Sequence, residues 1–162
     1  MSNSRRITLF TTGVVVGLTG CDTTSPQETA ASEPAVHREQ PRNEPKSDKM
    51  KVTIGNQTFT ATLDDNPAAA KLRAMLPLTL KMSELNGNEK HSRLATPLPT
   101  DASDPGSIRN GDLMLWGTDT LVLFYKGFRT TYSYTQLGRI DDPEALAAAV
   151  GPGSVRVSFE LE

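Results

Sequence analysis

Cysteine, histidine and aromatic residues are scarce in this 162-residue chain, and each shortage removes a class of function. The single cysteine, Cys21, has no partner for an internal disulfide, so a folded domain must stand on its packed core. Only two histidines occur, and His37 lies among prolines and polar residues, where it is expected to be solvated. A Ser-His-Asp triad or a histidine-based metal site would rest on His91 alone, so no metal ligand and no catalytic residue is assigned. Basic residues do not exceed acidic ones (17 against 19), and no basic patch carries interleaved aromatics, so no nucleic-acid partner is expected. Gly55-Asn56-Gln57 and Gly151-Pro152-Gly153 are turns rather than phosphate-cradling loops, and no cofactor is expected. The carboxylate pairs Asp64-Asp65 and Asp141-Asp142 precede expected helices, where interaction with the helix dipole accounts for them.

No long hydrophobic span is present, yet the amino terminus is organised for export. Arg5 and Arg6 form a positive segment, and Ile7 to Leu18 is an apolar run too short for a permanent bilayer helix. Leu18-Thr19-Gly20-Cys21 follows directly and resembles the lipobox of bacterial lipoproteins. That resemblance implies cleavage before Cys21 and a diacylglycerol thioether on its thiol, so the partner expected for Cys21 is a bacterial membrane. The alternative is an uncleaved anchor helix with an incidental cysteine. Asp22 resembles an inner-membrane retention signal, but the rule differs between bacteria and leaves the membrane open. Removing residues 1–20 takes away two arginines and no acid, leaving a mature chain with a net charge of about −4.

Residues 22–49 contain Pro26, Pro34, Pro41 and Pro45 among polar residues and no aromatic ring, so they are expected to form a disordered tether. Its random-coil reach is roughly 30 Å. The organisation is then a signal peptide (1–20), a lipidated cysteine with its tether (21–49) and one domain (50–162). The expected location is the cell envelope.

Within that domain, Lys51–Ile54 and Gln57–Leu63 flank Gly55-Asn56 and read as a hairpin. Asn66-Pro67 starts a helix that Pro77 stops, with Ala69, Leu72 and Leu76 as its apolar stripe. Leu78–Met82 alternates as a half-buried strand, Asn86–His91 reads as a polar turn, and Leu94–Ile108 is a long irregular crossing. The stretch Gly111–Gln136 holds the only tryptophan and all three tyrosines. It reads as a three-stranded meander over Leu113–Trp116, Leu121–Tyr125 and Thr130–Gln136. A second helix, which Gly151-Pro152 ends, starts either at the capping-box pair Asp141 and Glu144 or, equally well, at Asp142-Pro143. Val155, Val157, Phe159 and Leu161 then alternate as an inward-facing strand. Two short helices among mostly antiparallel strands predict a mainly β fold, a closed barrel with the helices capping its ends.

The segments TIGNQTFTATLDDNP, LPLTLKMSELNGNEK, GDLMLWG and LVLFYKGF, followed by YSYTQLGRIDD, resemble the bacterial cyclophilin-like domain family across residues 50–162. The resemblance implies a cyclophilin-like β-barrel with two capping helices. It implies no reaction, because that family is defined by its fold. Prolyl isomerases of the wider fold need an apolar pocket and an arginine that weakens amide resonance, lowering a barrier of ~18–20 kcal/mol. Their Phe-His-Arg and Gln-Gly-Gly-Asp stretches are missing, and only Arg93 or Arg129 would substitute. The leading expectation is therefore a non-catalytic module for a small ligand or peptide, with peptidyl-prolyl isomerase as the alternative. The candidate binding residues are Asn86, Asn88, Glu89, Tyr125, Lys126, Phe128, Tyr132 and Tyr134, which combine ring faces with a few polar groups. A buried tyrosine hydroxyl there would find Glu89 or Lys126 as its partner. The same rings also suit a barrel wall and core, with Asn86–Glu89 merely shaping a loop.

Overall fold

Period-two alternation of apolar and polar residues builds most of the wall. The computed structural model describes residues 47–162; the signal segment, Cys21 and most of the tether lie outside the described residues. Lys49–Ile54 (β1) and Gln57–Leu63 (β2) form the expected hairpin, with Val52 opposite Phe59 and both buried. Helix Pro67–Ala74 (α1) starts where expected: the Asn66 side chain accepts the Ala69 N–H at 2.8 Å, and Ala68, Ala69 and Leu72 are buried. Leu78–Leu85 (β3), Glu89–Arg93 (β4), Ser107–Ile108 (β5), Asp112–Trp116 (β6) and Thr120–Phe124 (β7) follow. Phe128–Arg129 (β8), Thr135–Ile140 (β9), Leu146–Val150 (α2) and Val155–Leu161 (β10) complete the order.

Eight of these strands close into an antiparallel barrel in the order β1-β10-β3-β4-β7-β6-β9-β2, while β5 and β8 pair separately. Closure leaves no barrel strand with a free edge. Alternate residues line the interior, among them Leu113, Leu115, Leu121, Leu123, Leu137 and Phe159, and α1 and α2 add Leu72, Leu146 and Val150 to the same core. Met114, Val122 and Phe124 point the other way and form a second apolar cluster with Ile108, Tyr134 and Phe128. The wall of β6 and β7 is thus apolar on both faces.

Five expectations from the sequence are corrected. The polar turn ends at Asn88, and His91, Ser92 and Arg93 lie in strand β4 rather than in a loop. The inward residue of that strand is Lys90, fully buried, so hydrophobic alternation does not reveal it. The meander forms only in part: Leu113–Trp116 and Leu121–Phe124 pair as expected in β6 and β7, but the third strand does not follow them. Thr130–Ser133 carries no strand, and the third wall strand, β9, lies beside β6 on the side away from β7. Its centre is Gly138, at φ +153°, where a Cβ would meet the Thr62 carbonyl oxygen at 2.3 Å. Only glycine fits so near β2, and a glycine in mid-strand conceals the strand's pattern.

The capping box at the second helix does not form, because α2 begins only at Leu146 and has no side-chain cap. Asp141 instead accepts from Thr62 Oγ1 at 2.6 Å and from Lys49 Nζ at 2.9 Å, drawing Lys49 into β1 and out of the expected tether. Leu161, expected to face inward, is half exposed at the last position of β10.

Candidate functional site

Strand β4 places charged residues on both faces of the wall, and the two faces differ in chemistry. Inward, Lys90 lies opposite Glu84 on β3 and Leu123 on β7. Its ammonium donates to the Glu84 carboxylate and to the carbonyl oxygens of Gly151 at 2.8 Å and Gly153 at 2.6 Å. It also lies 5.5 Å from the centroid of the Tyr125 ring. The Tyr125 hydroxyl donates to Glu84 at 2.7 Å, and the Gly87 N–H adds a third donor type at 3.0 Å. Burial and then the Glu84 bond push the Tyr125 hydroxyl up to about 12. Burial alone would raise the Glu84 carboxyl, but its bonds to Lys90 and Tyr125 outweigh that and hold it below the usual range. A buried lysine is tolerated here because every proton of its ammonium has an acceptor.

Outward, the registers of β3, β4, β7 and β6 stack side chains in three rows. Leu85, Glu89 and Phe124 form one, His91, Val122 and Met114 the next, and Arg93, Thr120 and Trp116 the third. A second layer lies beside these rows: Ile108 pairs with Phe128, Ser103 bridges to Tyr134, and the Phe128 and Tyr134 rings pack on Phe124 at 5.7 and 5.6 Å. Between the layers runs an open groove of about 540 Å³, with Glu89, His91 and Arg93 along one side and Phe128, Tyr132 and Tyr134 along the other. Its size and mixture of rings with a few polar groups are those of a ligand site.

This outer-face groove on a closed eight-stranded barrel can be set beside known proteins. The sequence model of the cyclophilin-like family matches residues 52–160. The chain belongs to the cyclophilin-like family. No curated protein and no solved structure gives a match.

Of the residues singled out from sequence, the cyclophilin-like domain brings Asn86, Glu89, Phe128, Tyr132 and Tyr134 to this groove. It does not bring Asn88, Tyr125 or Lys126. Tyr125 turns into the barrel, and its hydroxyl partner is Glu84 rather than Glu89 or Lys126, because Glu84 and Tyr125 share the inner face. The Asn88 carbonyl accepts the N–H groups of Tyr125 at 3.0 Å and Lys126 at 3.3 Å, a turn-holding role. The Lys126 ammonium lies 5.7 Å from the Tyr125 ring centroid. Sequence reasoning left out Leu85, His91, Trp116, Thr120 and Val122. The spacing of Glu89, His91 and Arg93 at every second residue was the signal that could have placed His91 beside Glu89.

Two features set the electrostatics of the groove. Arg93 lines it with its side chain 80% exposed and its guanidinium 3.4 Å from Asp119. Arg129 lies instead in a neighbouring open depression beside Asp104 and Tyr132. Glu89 is only 7% exposed, and no described residue donates a hydrogen bond or pairs a cation to its carboxylate. Burial, and after it the Glu84 charge, pushes the Glu89 carboxyl above its ordinary range. Among the described residues no group of three His, Cys, Asp or Glu side chains could hold a metal ion.

Proposed function

We propose that the chain is a cell-envelope lipoprotein whose cyclophilin-like domain binds a small ligand or peptide in the outer-face groove, without catalysis. One observation carries the binding half. Of the four large hydrophobic side chains exposed among the described residues, Leu85, Trp116 and Tyr132 all line this groove. Exposed apolar groups scattered singly need no explanation, whereas three gathered round one cleft mark a contact surface. The anchoring half rests on Arg5, Arg6, the apolar run and Leu18-Thr19-Gly20-Cys21. The burial of Leu72, Leu146 and Val150 in the barrel core supports the reading that the helices close the barrel's ends.

Trp116, the only tryptophan, is a built-in reporter of groove occupancy. Titrating the full chain with a panel of short peptides and small metabolites is expected to shift its emission for at least one compound class. A flat response across the panel contradicts the binding reading. Labelled palmitate is expected to enter the wild-type chain and not Cys21→Ser; equal labelling contradicts the anchor.

The second reading, prolyl isomerase, is favoured by Arg93 beside an apolar groove. Against it, the guanidinium sits in water and already faces Asp119, where its pull on an amide nitrogen is weak. A peptide isomerisation assay is expected to return the uncatalysed rate. Turnover that disappears on Arg93→Ala, or on Arg129→Ala, establishes the enzyme instead.

A further inference from the structure

Resting on the reading of the groove as a binding site, we infer that its occupant is an extended peptide segment bearing a lysine or arginine side chain, whose cation pairs with Glu89. The Glu89 residue is nine-tenths buried and lines the groove, and its carboxylate oxygens, which open to the groove, have no donor or cation among the described residues. A carboxylate enclosed on most sides is held charged at a cost, which a cation entering the groove would offset. The raised carboxyl is what an unmet charge produces.

Charge along the groove gives the occupant a direction. Arg93, at the far end, has Asp119 against it, while Glu89 is uncompensated, so the two ends are not equivalent. The rings of Phe128, Tyr132 and Tyr134, which line the same groove, suit the same cation, because aromatic faces attract ammonium and guanidinium groups. An ammonium or guanidinium reaching Glu89 would form charge-assisted hydrogen bonds away from bulk water.

Groove length argues for a peptide rather than a lone amine. Glu89 and Arg93 stand four residues apart on one strand, about 13 Å, which is the reach of roughly four extended residues. Leu85 flanks the first end and Trp116 the second, offering apolar contacts to side chains on either side of the cation. The Asn86 amide, also at the groove, can both donate to and accept from a peptide backbone.

The test uses the full chain and three blocked pentapeptides, identical and apolar except for a central lysine, norleucine or glutamate. Trp116 emission and calorimetry follow binding. The lysine peptide is expected to bind about tenfold more tightly than the norleucine peptide, and the glutamate peptide most weakly. In Glu89→Gln, a swap that keeps shape and removes charge, the lysine and norleucine peptides are expected to bind alike. Equal binding of all three peptides, or a lysine preference that survives in Glu89→Gln, overturns the cation assignment and leaves the groove as a binding site. Competition by n-butylammonium as strong as that of the lysine peptide overturns the peptide assignment. Trp116 emission and heat unmoved by every peptide overturn this inference, and unmoved by the wider panel as well, the groove reading with it.

Discussion

Glu84 and Glu89 stand on either side of one tight turn, and the two faces of the wall treat their carboxylates in opposite ways. On the inner face Glu84 takes bonds from Lys90, Tyr125 and Gly87 and is held below the ordinary carboxylate range. On the outer face Glu89 is as enclosed as a core residue and has no described partner. The difference separates a polar group that belongs to the scaffold from one poised for a contact. The inner cluster ties β3, β4 and β7 to the α2–β10 connection, since Lys90 bonds Gly151 and Gly153. The outer carboxylate ties nothing to anything.

That contrast breaks most sharply at Lys90. Lys90→Met removes the charged partner of Glu84 and leaves two carbonyl oxygens without their donor, and is expected to cost about 3–5 kcal/mol in denaturant unfolding. A loss no larger than that of an exposed lysine would show the cluster to be ornamental. Next in size, Tyr125→Phe removes one donor to Glu84 and is expected to cost about 1–2 kcal/mol. It should leave the emission of Trp116 unchanged, because Tyr125 points away from the groove.

The smallest effect has the opposite sign. Glu89→Gln removes an unpaired buried charge and is expected to stabilise the fold by about 1 kcal/mol at neutral pH. Linkage gives the direction with pH. The folded Glu89 carboxyl lies above its ordinary 4.5, so its charged form costs stability once pH rises through the raised value, and costs nothing below 4.5. The advantage of Glu89→Gln should therefore grow from acid to neutral pH. Glu84 behaves in reverse: its contribution is complete above 4.5 and is lost as pH falls through the lowered value.

The same contrast explains what was legible in the sequence. The β1–β2 hairpin, the start of α1 and the body of β10 were readable because apolar alternation and turn or capping residues agreed there. Strand β4 was not, since its buried residue is a lysine whose acceptors come from β3 and from the distant Gly151 and Gly153. Strand β9 was hidden by Gly138, required by the closeness of β2, while the alternating threonines and tyrosines just before it imitated a strand. Tyr132 and Tyr134 were recognised as ring-bearing site candidates but belong to the outer layer, not to the barrel wall. Trp116 was legible as part of a strand but not as part of the groove, because the third row also depends on the pairing of β7 with β4, which the sequence does not reveal.

The most direct measurement is a carbon-13 NMR titration of the side-chain carboxyls of Glu84 and Glu89 in the folded chain. The account requires Glu84 to titrate below 4.5 and Glu89 above it, with Glu89 falling on addition of a lysine-bearing peptide. Two carboxyls titrating together near 4.5, or in the reverse order, would contradict it.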